Sequence, residues 1–285
     1  MSIKKTNCAC VILNYNDYHT TLGLVSIIQG YRSLNKIIVV DNCSTDDSAE
    51  VLSKIENDRT LFLRSPRNGG YGAGNNYGLR YAYESGEAKY GLIANPDVVF
   101  SEDVVEAMTC FLDKHEDYGA VSCVQLDRNG NQIKDIAWRI PSIADYMFMD
   151  VRRLNRFHNT RYEDIYFDNP VVDVECIPGA FLMVNLKAFF DVQGYDERMF
   201  LYGEETTLGY KFKEKGYKTA LLTTMTYQHF HGVSINKSIS SSSKQYELIV
   251  KSRLFFLREY LKANKIQLYL CEKIYKSIIK RRSKR

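Results

Sequence analysis

Tyr90-Gly91-Leu92-Ile93-Ala94-Asn95-Pro96-Asp97-Val98-Val99-Phe100 sets the reading of the whole chain. Leu92 to Ala94 is an apolar strand that runs straight into Asn95-Pro96-Asp97, and a second apolar run, Val98 to Phe100, follows without a spacer. Pro96 has no N–H and a fixed φ, so a strand ladder stops there and holds Asn95 and Asp97 at the strand end. A carboxylate at that place in an α/β sheet faces the ligand crevice. Taken alone, the tripeptide reads first as a turn whose Asx side chains satisfy their own backbone. The flanking pattern decides between the two.

On the N-terminal side, Cys8 to Leu13 reads as a buried first strand, Tyr18 to Gln29 as a helix closed by Gly30, and Ile37 to Val40 as a second buried strand. Asp47 and Glu50 resemble a capping box for a helix to Ile55. Leu61 to Leu63 is a third strand and Tyr71 to Tyr83 a third helix. Alternating strands and helices with short links predict a mainly parallel sheet covered by helices on both faces. Each strand ends in polar residues: Asn14 and Asn16, Asp41 and Ser44, Arg67 and Asn68, Asn95 and Asp97. Such ends converge on one crevice.

On the C-terminal side, Ser101 is expected to cap a helix over Val104 to Lys114, with Val121 to Leu126 as a strand and Asp127 to Asn131 as a hairpin-like turn. Residues 135 to 172 show no clean periodicity and read as an irregular region over the site. Val171 to Ile177, Phe181 to Val184 and Ala220 to Thr223 read as strands, and Glu204 to Lys215 as a helix capped by Gly216. Ser238 to Ser243 reads as a short flexible linker.

The composition, 45% apolar and 25% charged, is that of an ordinary globular protein, and no apolar run is long enough to cross a bilayer. With no signal-peptide pattern at the start, a cytoplasmic location is expected. Seven cysteines without a Cys-x-x-Cys pair predict reduced, mostly buried thiols. The net charge of +4 hides a division: residues 244 to 285 carry 13 Lys or Arg against 3 Glu, leaving a net −6 on the rest. Gly70-Tyr71-Gly72-Ala73-Gly74 lacks the glycine of a dinucleotide fingerprint at Asn75 and follows the third strand rather than the first, and no Walker loop is present. Nicotinamide and ATP chemistry are therefore disfavoured.

In order along about residues 8 to 260, Ile12-Leu13-Asn14-Tyr15-Asn16, Ile38-Val39-Val40-Asp41-Asn42-Cys43-Ser44-Thr45-Asp46, Asn68-Gly69-Gly70-Tyr71-Gly72-Ala73-Gly74-Asn75-Asn76, Ala94-Asn95-Pro96-Asp97, Gly179-Ala180, Gly194-Tyr195-Asp196-Glu197, Phe200-Leu201-Tyr202-Gly203-Glu204-Glu205 and His229-Phe230-His231-Gly232-Val233-Ser234 resemble a family 2 inverting glycosyltransferase of the GT-A-type fold, in its rhamnosyltransferase-like branch. The resemblance implies a GT-A-type, Rossmann-like, mixed but mainly parallel sheet. A glycosyltransferase domain spans 1–237, with residues 1–100 as nucleotide-binding half and 101–237 as acceptor half. A basic helical tail spans 244–285.

It also implies a metal-dependent transfer from a nucleoside-diphosphate sugar, dTDP-rhamnose first among donors, to a lipid-linked or growing glycan. A UDP-hexose or UDP-N-acetylhexosamine transferase of the same fold is the alternative. A catalytically silent glycan-binding or scaffold protein is the alternative from another class. A diphosphate needs a bridging Mg²⁺ or Mn²⁺ on hard ligands. The resemblance gives that role to Asp97, with one carboxylate fewer than an Asp-x-Asp motif, and to His229, with His231 as rival. Tyr15, Asn16, Asp41, Asn75 and Asn95 are implied donor-side residues, although Asp41 also fits an Asx turn and Asn75 an exposed helix face. Glu205, where the family carries Asp, is implied as base for the acceptor hydroxyl. Glu204 and Arg139 are assigned to the acceptor side, although Arg139 with Trp138 reads first as a loop brace. Thr207 and Lys211 stand where the family often has Asp and Arg.

Ile266, Leu270, Ile274 and Ile278 recur at i, i+4 among lysines, a pattern suited to an amphipathic helix on an anionic leaflet. This predicts a peripheral protein on the inner face of the cell membrane. Polybasic residues also suit nucleic acid, but no nucleic-acid partner is expected, and the helix could instead pack on another subunit of an oligomer.

Overall fold

The computed structural model describes residues 7–133, 135–162, 169–230 and 242–282. The first half alternates β1 (Cys8–Asn14), α1 (Tyr18–Ile28), β2 (Lys36–Asp41), α2 (Ser48–Ser53), β3 (Thr60–Arg64), α3 (Tyr71–Glu84) and β4 (Tyr90–Ala94). These strands pair in parallel in the order β3-β2-β1-β4. The second half adds β5 (Val98–Val99), α4 (Glu102–Lys114), β6 (Tyr118–Leu126), α5 (Ile143–Phe148), β7 (Val171–Val174), β8 (Phe181–Asn185), α6 (Leu186–Asp191), α7 (Glu204–Lys215) and β9 (Lys218–His229). It extends the sheet through β8, antiparallel to both β4 and β6, while β6 and β9 run parallel. The expected mixed, mainly parallel sheet flanked by helices is the observed architecture.

Alternation along the strands builds a core on each face. Cys8, Cys10 and Ile12 point to the side covered by α1 and α4, and Ala9 and Val11 to the side covered by α3, α6 and α7. Burial on both faces is why these strands read as unbroken apolar runs. Glycines bring α3 against the sheet: a Cβ at Gly78 would stand 2.6 Å from Val11, and one at Gly74 2.4 Å from Leu13. Gly70 opens α3 at φ 91°, where a Cβ would lie 1.9 Å from the Phe200 carbonyl oxygen. That oxygen accepts the Tyr71 amide at 3.0 Å, tying α3 to the segment that precedes α7.

All seven cysteines are unpaired and five are buried; burial lifts the Cys8 thiol to about 12. Two expected caps are absent. Asp47 and Ser101 make no side-chain cap bond; Asp46 instead accepts the Ser48 amide, and Glu102 is turned to the Ser33 amide. A capping box does form at Ser142 and Asp145, inside the region that shows no periodicity in sequence, and there it starts α5. Helix α6, capped by Asn185, was not anticipated either.

Helices α8 (Ser242–Glu259) and α9 (Lys265–Arg282) pack with α5 around a third core of Tyr146, Tyr246, Phe256, Leu257, Cys271 and Tyr275. The i, i+4 stripe of α9 divides. Ile266 and Leu270 are exposed, while Ile278 packs on the third core and Ile274 is half-buried. Most of the expected linker 238–243 lies outside the described residues. Among the described residues, no helix is long and apolar enough to cross a membrane.

Candidate active site

The ends of β1, β2 and β4 supply one side of the site. Asn14, opposite Asp41 in the β1–β2 register, donates to the Asp41 carboxylate at 3.0 Å, and the Ser44 amide donates to its other oxygen at 3.1 Å. Asp41 is fully buried, with Arg64 3.8 Å away. Asn16 adopts φ 53°, and its side chain exchanges hydrogen bonds with Thr45, so it shapes the loop. Tyr15 is half-buried and has no side-chain partner among the described residues.

Both α3 asparagines are buried, not on an exposed face. Asn76 bonds the Tyr195 amide and carbonyl and Glu197, which makes it a structural clamp. Asn75 donates to the Tyr71 carbonyl, and its own Oδ1 is buried without a partner. Leaving such an atom unpaired costs ~1–3 kcal/mol, so this oxygen has acceptor capacity that no described residue uses.

The antiparallel pairing of β5 with β9 places Val98 opposite His229. As a result His229 Nε2 lies 3.2 Å from Asp97 Oδ1, with both residues under 10% exposed, and the Phe230 amide bonds the Asp97 carbonyl. Among the described residues no three His, Cys, Asp or Glu side chains gather as a metal cluster. A carboxylate and an imidazole side by side are a donor pair that would suit a divalent ion. His231 and Ser234, which entered the same motif, lie outside the described residues.

Gly179 and Ala180 join this side to the acid pair on α7. The Ala180 carbonyl accepts the Asn95 amide at 2.8 Å, and the Gly179 carbonyl accepts the Tyr71 hydroxyl at 2.6 Å. A Cβ at Gly179 would lie 2.6 Å from Glu205 Oε1, so the acid occupies space that a larger residue there would contest. Burial pushes the Glu205 carboxyl up, against the opposing pull of its own and Gly179's amides and of Arg161. Burial raises the Tyr71 hydroxyl well above its ordinary range, and the charges of Glu205, Glu204 and Asp97 add to that rise. Asp97 and Glu205 therefore act on the same side chain from their separate elements. The Asn95 side chain has no partner among the described residues and is half-buried.

Beyond Glu205 opens a cleft of about 680 Å³, walled by Trp138, Arg161, Tyr202, Thr206, Arg253 and Phe256 among others. Trp138 donates to Thr206 at 3.0 Å and carries the Arg161 guanidinium 4.7 Å above its ring. Two acceptor-side candidates lie off the cleft wall. Arg139 makes a two-pronged ion pair with Asp145, at 2.6 and 3.0 Å, and is absent from the cleft wall, so it braces the loop. Glu204, 2% exposed, is turned inward beneath Gly72 of α3. Its Oε1 has no partner among the described residues, and burial followed by the Glu205 charge pushes its carboxyl up to about 8. At the neighbouring positions, Thr207 bonds the Gly203 carbonyl and Lys211 donates to the Gly194 carbonyl, burial lowering its ammonium to about 8.

The Glu204 shift carries a stability prediction. The folded chain keeps a proton that the unfolded chain releases above the ordinary carboxylate range, so stability falls as pH rises from about 4.5 toward 8. Glu204→Gln is expected to flatten part of that fall and to exceed wild type by at least about 1 kcal/mol at pH 8 in urea melts. A variant losing stability at pH 8 would show that the carboxylate is ionised and paired.

Sequence reasoning missed Tyr71, Gly179 and the α8 wall. The first two stood in quoted glycine-bearing motifs, but nothing local reveals that one touches the other.

The architecture is that of GT-A glycosyltransferases. A solved structure of GalNAc-T7 with UDP, GalNAc and Mn²⁺ superposes with TM-score 0.64 at 14% identity, over 90% of this chain and 48% of that one. Residues 9–180 match the model of glycosyl transferase family 2, and the chain belongs to that family. Two relatives are the low-salt glycan biosynthesis hexosyltransferase Agl10 of Haloferax volcanii, 24% identical over 85% of this chain and 73% of its own length, and the N-acetylglucosaminyl-diphospho-decaprenol L-rhamnosyltransferase of Mycobacterium tuberculosis, 25% identical over 78% and 74%.

Proposed function

We propose that this family 2 glycosyltransferase moves a sugar, L-rhamnose from dTDP-rhamnose first among donors, onto a lipid-linked or growing glycan with inversion at the anomeric carbon. The observation that carries the reading is Glu205. It is a carboxylate of raised basicity on the wall of an open cleft, one glycine away from the segment that holds Asn95. Glu205 takes the proton of the acceptor hydroxyl as its oxygen bonds the anomeric carbon and the bond from that carbon to the diphosphate breaks. A general base is most effective when its pKa approaches the working pH, which burial achieves here. Tyr15, Asp41 and its Asn14 and Ser44 partners shape the base pocket, and Asn75 and Asn95 offer side-chain polar atoms to the donor. Asp97 and His229 would hold Mg²⁺ or Mn²⁺, which when bound offsets the charge of the departing diphosphate.

The two relatives, a rhamnosyltransferase acting on a decaprenol-linked sugar and a glycan hexosyltransferase, support both the donor sugar and the acceptor class. The basic surface of α9 supports work at the inner face of the membrane. Thermal melts with Mn²⁺ and a panel of nucleotide sugars test the reading. dTDP-rhamnose near 100 Kd is expected to raise Tm by about 5 °C or more and to release dTDP slowly in water. Stabilisation and release by a UDP-sugar alone would move the assignment to a UDP-hexose transferase. Stabilisation without any release would indicate a silent binding protein.

A further inference from the structure

Two separate pieces of chain, joined by one groove, expose charged and apolar side chains. The first is the turn after α5, Arg152-Arg153-Leu154-Asn155-Arg156-Phe157, held by the Leu154 and Asn155 amides on the Val151 carbonyl. Every residue of it is exposed, Leu154 at 37% and Phe157 at 66%, and Arg156 lies over the Phe157 ring at 4.5 Å. Three arginines stand there with no acid among them, since the preceding Asp150 is taken by Arg253 and the Tyr246 hydroxyl. The second is the outer side of α9, where Ile266, Tyr269 and Leu270 are 71%, 58% and 44% exposed and Lys273 lies 5.3 Å over the Tyr269 ring. Ile266, Leu270, Lys273 and Ser277 fall on one helical stripe. That stripe meets the turn: Val151, Arg152, Lys273, Ile274, Ser277 and Arg281 line a shared groove of about 570 Å³.

We infer that the 152–157 turn and the outer face of α9 together dock on an anionic lipid leaflet, with Leu154, Phe157, Ile266, Tyr269 and Leu270 entering the interface and the surrounding arginines and lysines meeting the headgroups. Cations around exposed aliphatic and aromatic side chains suit this occupant, because lipid rewards both kinds of group. A nucleic-acid backbone rewards only the charge. A second copy docked by the same face would set arginine against arginine. Asn155 and Arg156 also line the acceptor cleft, so the docked protein opens that cleft at the leaflet. A lipid-borne acceptor then enters without leaving the bilayer. The inference rests on the membrane reading proposed above and adds the turn and the orientation to it.

Sedimentation with vesicles tests it without reading activity. The full chain is expected to pellet with vesicles of about 30 mol % phosphatidylglycerol in phosphatidylcholine, and to lose most binding on pure phosphatidylcholine or at about 0.5 M salt. Arg152→Glu with Arg153→Glu, and separately Leu154→Ser with Phe157→Ser, should each lower the partition coefficient about tenfold or more. Phe157→Leu should stay within about threefold of wild type and shows that the turn tolerates change. Tyr269→Ser with Leu270→Ser should lose binding to a similar degree. Turn variants that pellet like wild type while the α9 variant does not would overturn the inference and leave docking to α9 alone. Failure of every form to pellet would overturn the membrane reading as well. Donor hydrolysis, read in the same preparations, stands or falls independently of either result.

Discussion

Glu205→Gln is expected to lower kcat/KM for sugar transfer by about 10³-fold, the scale of a lost general base. The amide keeps the shape that fits against Gly179, and it removes a carboxylate that burial already disfavours. The variant should therefore fold at least as well as wild type and show the same donor-induced rise in Tm, so the loss falls on the chemical step. The wild-type pH profile adds a second readout. With the carboxyl raised by burial, activity should climb with pH through an inflection above the ordinary carboxylate range, and the variant should lack that inflection. Transfer within about threefold of wild type would remove Glu205 as the base.

Asp97→Asn is expected to lower transfer by about 10²-fold or more and to raise the Mn²⁺ concentration for half-maximal activity, since an amide brings no charge to a divalent ion. His229→Ala should act in the same direction with a smaller effect, because a neutral imidazole contributes a ligand but no charge. Titration of Mn²⁺ into chelator-treated protein, followed by calorimetry, separates this from misfolding. Activity indifferent to chelation, with Asp97→Asn equal to wild type, would show that the Asp97–His229 pair is structural.

Local pattern made the N-terminal half of the fold legible. Strands buried on both faces read as apolar runs, and Asn14, Asp41 and Asn95 could be placed at strand ends before any contact was known. The pairing of β5 with β9 could not be read, since it joins residues 98 and 229 and rests on no local signal; it is nevertheless what sets His229 beside Asp97. The two acids at 204 and 205 show the same limit. Their position in the first turn of α7 was clear, but which one faces the cleft depends on Gly72 and Gly179 from other parts of the chain. Residues 135 to 162 resisted reading because they are held by side-chain pairs such as Arg139–Asp145 rather than by periodic burial.

The third core bears on how this enzyme should be handled at the bench. The Tyr275 hydroxyl of α9 donates to the Tyr146 carbonyl at 2.5 Å, and Tyr146 lines the cleft proposed to take the acceptor. A shortened form ending before Lys265, an obvious choice for raising yield, would keep every residue proposed for the donor side and lose that strut. Normal nucleotide affinity in such a truncate would then say little about glycan selectivity, and acceptor specificities measured on it would describe a differently shaped enzyme.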